Sequence, residues 1–161
     1  MNIIINQIFG TIATILSIVS LLSTKKKKLL KMQLMSNILF TFQYIVLKAR
    51  SAAFVSVIAI LRSIFFSNNK HRKSKVSFLI SLALFAGIFS YNGTLLSLIP
   101  IMNAIFCIIG ASQKDIRKYK VIYGICSTIW IYYNIRVGAY IVILSNICEI
   151  ISAIIGYKRH K

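Results

Sequence analysis

Long apolar stretches alternate with short clusters of Lys and Arg along the whole chain, and this alternation limits the fold more than any other feature. A soluble domain carries about 25% charged residues of both signs. Here 14% of the 161 residues are charged, and Asp115 and Glu149 are the only acids. A net charge of +18 raises the possibility of a nucleic-acid binder, since clustered bases release counterions from phosphates. The arrangement excludes that class. The bases fall between apolar stretches too long for a soluble domain of this size, and those stretches have no polar face to leave in water. The chain is expected to be an all-α membrane protein.

A helix needs roughly 17–25 apolar residues to cross a bilayer core. The sequence then divides into seven expected transmembrane helices over 2–23, 29–47, 51–66, 76–90, 94–110, 121–135 and 138–157. The stretches 29–66 and 76–110 are each too long for one crossing and must be hairpins. Their turns fall at Lys48-Ala49-Arg50 and at Tyr91-Asn92-Gly93, where Asn-Gly is a strong turn signal. The N-terminus has no basic n-region and no A-x-A site, so the first helix is expected to be retained.

Charge orients the set. Sixteen of the 20 bases follow helices 1, 3, 5 and 7: Lys25–Lys28 with Lys31, then Lys70 to Lys75, Lys114 to Lys120, and Lys158 to Lys161. With seven crossings all of these share one face, which the positive-inside bias places in the cytoplasm, giving N-out and C-in. His71 and His160 lie in these basic segments and are expected to be exposed. Cys107, Cys126 and Cys148 fall in apolar stretches without CxxC spacing, so they read as small buried hydrophobes rather than metal or redox ligands. No metal or cofactor is expected.

A shift of 86 residues lays helices 1–3 on helices 5–7, with Arg50 on Arg136, Ala53 on Ala139 and Phe54 on Tyr140. The plan is a 3+1+3 parallel repeat: a first three-helix bundle over 1–67, a linker helix over 76–90 and a second bundle over 94–161. In helix 2, Asn37, Thr41, Tyr44 and Lys48 share one stripe, and Tyr123, Ser127, Trp130 and Asn134 do so in helix 6. A buried amide or hydroxyl in hydrocarbon must be paired or face a wet cavity. The stripes therefore point inward, either to other helices or to a pathway for a small polar solute. Asn37, Thr41, Tyr44, Asn103, Tyr123, Ser127, Trp130 and Asn134 are the pathway candidates.

Arg62 and Glu149 are the intramembrane charge candidates, expected to be functional because of their cost in the membrane, either as a pair across the repeat or with Glu149 carrying a proton. The plainer reading has Arg62 snorkelling to the interface and Glu149 neutralised. Pro100 removes a backbone hydrogen bond and is expected to kink helix 5, as a hinge or as a plain bend.

Several of these residues form an ordered set that resembles the YgjV family of bacterial inner membrane proteins. They are Lys31-Met32-Gln33-Leu34 at the entry to helix 2, Arg62, Leu98-Ile99-Pro100, and the W-x3-N-x3-G spacing of Trp130, Asn134 and Gly138. The chain departs from the family pattern at Ala59, where an Asn is expected, and at Asn103, where a Gly is typical. The resemblance implies residence in the bacterial inner membrane. It also implies a plan similar to the SWEET and PQ-loop transporters, with an external N-terminus and a polar central pocket that works by alternating access. The first expectation for function is a small-solute transporter or facilitator. The second is a non-transporting assembly or regulatory protein whose stripes bind other helices. An enzyme is not expected, since no pair of acids, HExxH or GxSxG occurs. Expected partners are the lipid bilayer and a small polar solute, with self-association left open.

Overall fold

The computed structural model describes residues 3–67, 72–91 and 93–159. Asn2, Lys70, His71, Asn92, His160 and Lys161, which entered the sequence reading, lie outside these. Within them the fold is all-helical, with no strands: α1 (Ile3–Leu22), α2 (Lys26–Val46), α3 (Arg50–Ser67), α4 (Arg72–Ser90), a 3-10 turn (Leu95–Leu98), α5 (Ile99–Ser112), α6 (Ile116–Val137) and α7 (Tyr140–Lys158). Arg50–Ser67 and the unit Leu95–Ser112 are each long and apolar enough by themselves to cross a membrane.

Helices α2, α4 and α6 begin three to five residues before the expected starts at 29, 76 and 121. The sequence reading placed those boundaries at the step in hydropathy, whereas Lys and Arg are good helix formers and let each helix run out into its basic segment. α2 is preceded by Lys25 in an extended conformation. α6 is preceded by Asp115, whose carboxylate accepts from the Arg117 backbone N–H at 2.8 Å, a side-chain N-cap.

The helix expected over 94–110 is in two parts. The 3-10 turn Leu95–Leu98 leads into α5, and Pro100 stands in the first turn of α5. There its missing N–H deprives the helix of nothing, because first-turn N–H groups have no intrahelical partner.

The principal contacts form a closed circuit: α1 on α2, α2 on α3, α3 on α5, α5 on α6, α6 on α7, and α7 back on α1. α4 packs outside this ring, against α3 and α5. Landmarks recur along the chain at a fixed spacing. The helix entries at Lys25 and Asp115, and the positive-φ residues Lys48 (φ 55°) and Gly138 (φ 73°), each lie 90 residues apart. So do the hydrogen bonds Ala49 N to Tyr44 O (3.0 Å) and Ala139 N to Asn134 O (2.9 Å) that close the hairpins. The expected shift of 86 misses these by one helical turn. A four-residue slip rotates a helix by only about 40°, so apolar matching tolerates it where turns and caps do not.

Candidate functional site

The interior holds many polar side chains beside its apolar clusters, and large apolar side chains cover much of the exterior, unlike a water-soluble domain. Arg62, Asn103, Lys120, Ser127, Asn134, Asn146 and Glu149 are all buried, whereas Leu95 is 81% exposed, Ile88 75% and Phe89 69%. A surface of this kind suits lipid, in which buried polar groups must find partners inside the protein.

α2 and α6 face one another across the ring and meet through long side chains. Toward their N-terminal ends, the Tyr119 hydroxyl donates to Gln33 Oε1. Toward their C-terminal ends, the Tyr44 hydroxyl donates to Asn134 Oδ1 at 3.2 Å. Between these two bridges lies a cavity of about 70 Å³, room for a few waters or a solute of a few heavy atoms. α2 contributes Asn37, Phe40 and Tyr44 to its wall, and α3 contributes Ser56, Ala59 and Arg62. α5 adds Asn103 and Cys107; α6 adds Tyr123, Cys126, Ser127 and Trp130; α7 adds Asn146 and Glu149.

Trp130 stacks on Tyr44, with centroids 5.9 Å apart, and makes an edge contact with Tyr133 at 5.3 Å. In the amide orientation that satisfies its neighbours, Asn103 accepts from the Trp130 indole N–H and donates to the Cys126 carbonyl at 3.3 Å. Three hydroxyls converge on Glu149. Ser17 and Tyr123 (3.4 Å) donate to Oε1, and Ser127 donates to Oε2 at 2.9 Å. Arg62 is buried on the same cavity, yet no nitrogen of it lies within 4.0 Å of a Glu149 oxygen; among the described residues the ion pair is Arg117–Asp115, at 3.4 Å on the surface.

Of the eight pathway candidates, six line the cavity: Asn37, Tyr44, Asn103, Tyr123, Ser127 and Trp130. Two do not. Thr41 turns back to donate to the Asn37 carbonyl at 2.7 Å, the local bond a helical threonine readily makes. Asn134 is sealed behind the wall, with its oxygen held by Tyr44. Arg62 and Glu149 both reach the cavity, while Pro100 is buried away from it. Ala59 and Asn103, the two departures from the pattern noted above, both stand on its wall.

The family model for Imp-YgjV, described as bacterial inner membrane protein, matches residues 4–161. The chain belongs to this family. Its apolar exterior, with polar groups turned inward, suits an inner membrane protein. No curated protein and no solved structure matches this Imp-YgjV member.

The sequence reading missed part of the site of this family member. Asn146 escaped notice although it lies one turn before Glu149, and Val142, Asn146 and Glu149 all line the cavity. Their i, i+4, i+7 spacing was legible as one face. Gln33 and Tyr119 were missed because their contact joins residues 86 apart in the chain, a pairing that no local pattern displays.

Proposed function

We propose that this protein is a multi-pass transporter or facilitator for a small polar solute, built as two three-helix bundles with α4 as linker. Access to its central cavity alternates between the two membrane faces. The observation that carries the reading is the cavity itself, small, polar and aromatic, lined by α2 and α3 of one half and by α5, α6 and α7 of the other, and bracketed by one α2–α6 bridge at each end. The 90-residue recurrence of turns and caps and the closed helix circuit support a parallel repeat about an axis along the membrane normal, a plan on which transporters place substrate at the repeat interface. In this reading the Tyr119–Gln33 and Tyr44–Asn134 bridges are the two gates. The basic segments beside the first gate set it on the cytoplasmic side, with the N-terminus outside and the C-terminus inside. Neither a catalytic group nor a cofactor enters the mechanism.

A second reading has specific support. Several polar side chains are consumed by helix–helix hydrogen bonds: Ser36 donates to the Ala13 carbonyl at 2.8 Å, Ser51 and Tyr133 hydroxyls lie 3.3 Å apart, and Lys120 donates to the Gly156 carbonyl at 3.0 Å. A packed, non-transporting assembly or regulatory protein would use them in the same way. Thiol accessibility separates the two. With the three native cysteines replaced, Ser127→Cys is expected to react with a hydrophilic thiol reagent in membranes. An unreactive Ser127→Cys would favour the packed protein.

A further inference from the structure

The cavity wall is unevenly satisfied. Arg62 and Asn146 are each only 4% exposed and both face the cavity, yet Arg62 Nε and Asn146 Nδ2 are buried donors without a hydrogen-bond partner. A buried donor left unpaired costs free energy that an acceptor on a ligand would recover. The guanidinium also lacks an acidic partner within 4.0 Å, although a fork of N–H groups fits a carboxylate best of all. Glu149 stands on the same cavity. Its Oε2 accepts from Ser127 alone, and a carboxylate oxygen takes about two donors. The rings of Trp130 and Tyr44 line the same cavity and are of the kind that attract a cation. The cavity wall thus holds a guanidinium and an amide, each with one donor unpaired, and a carboxylate with spare acceptor capacity, around room for a few heavy atoms only.

The geometry points to a small zwitterion as the solute, its carboxylate held by Arg62 and Asn146 and its ammonium by Glu149 beside the aromatic wall. This inference rests on the reading of the cavity as a solute site, and it names the class of solute. A neutral polyol would bring no opposite charge within hydrogen-bond distance of either Arg62 or Glu149. A simple anion would leave Glu149 unanswered, and a simple cation would leave Arg62 so.

Trp130 is the single tryptophan of the chain and lines the cavity, so its emission reports occupancy in purified full-length protein. Four probes are titrated: glycine, acetate, methylammonium and glycerol. Glycine is expected to bind roughly tenfold or more tighter than each of the others, the scale of one added ion pair in a desolvated site. Arg62→Gln should weaken glycine and acetate alike, while Glu149→Gln should weaken glycine and spare acetate. The inference is overturned if glycerol, acetate or methylammonium matches glycine, or if glycine leaves Trp130 unchanged. The wild-type comparison decides this even where a variant does not fold. Uptake by proteoliposomes separates this inference from the transport reading. Glycine that binds without crossing sinks transport and keeps the zwitterion. Glycerol that crosses while glycine leaves Trp130 silent does the reverse.

Discussion

Gly156 lies where three elements converge. A Cβ built there would stand 2.5 Å from the Leu21 carbonyl oxygen of α1 and 2.7 Å from Lys120 Nζ of α6. The lysine can swing aside; the carbonyl belongs to backbone and cannot. Gly156→Ala is therefore expected to cost about 1–3 kcal/mol by overpacking, read as a lower melting temperature. The hairpin turns make a second comparison. Gly138 takes a left-handed φ at no steric cost, whereas Lys48 holds the corresponding position with a side chain. Lys48→Gly should raise stability by up to about 1 kcal/mol and Gly138→Ala should lower it by about the same. Thermal unfolding of the two variants checks both signs.

Asp115 adds a pH dependence. The Arg117 backbone N–H, then the Arg117 side chain and the neighbouring positive charges, hold its carboxyl below the usual value. A depressed pKa in the folded state contributes stability above the unfolded value that is lost as pH falls through the folded one. The melting temperature of wild type should thus fall more steeply below about pH 4 than that of Asp115→Asn, whose amide still caps the helix but does not titrate. Parallel profiles would refute the cap's contribution.

At the scale of elements, apolar length and basic clusters were enough to read seven helices from the sequence. They did not yield the ends, because hydropathy marks where lipid begins and not where a helix is capped. Nor did they yield the register of the recurrence. Lys48 and Gly138 share a backbone conformation but no side-chain chemistry, so the sequence hides their equivalence. The proposed gates are testable on α2 and α6. Each is one buried hydrogen bond, worth about 1 kcal/mol, or roughly fivefold in an open population. Tyr119→Phe should speed labelling of Ser127→Cys from the basic-segment face by about that factor, and Tyr44→Phe should speed it from the other face. Equal effects from both faces would remove the gates from the mechanism.

For the whole molecule, the legible part was the inversion of polarity. Few acids, many bases in clusters and apolar stretches between them announce a protein turned toward lipid, and membership of an inner membrane family agrees. The cavity was legible in the residues of α2 and α6, whose stripes are periodic. Arg62 and Glu149 were legible only as a possible pair across the repeat; that they stand apart on one wall depends on how α3 and α7 stand around the ring. The proposed seven-crossing topology makes a direct prediction. A reporter fused after Lys161 should be active only in its cytoplasmic form, and one placed at the Lys48–Arg50 turn only in its periplasmic form.

The helix that packs outside the ring makes the α3–α5 junction unlike the α1–α7 junction. Where α3 meets α5, α4 lies across the joint and ties both sides by chain as well as by contact. Where α1 meets α7, no further described helix lies across the joint; the Ser17 hydroxyl donates to Glu149 there, and Gly156 lets two backbones nearly touch. In the proposed transport reading, one half would move against the other like a book, with its spine at α4 and its fore-edge at Gly156, and a single methyl group at that edge would wedge the covers apart.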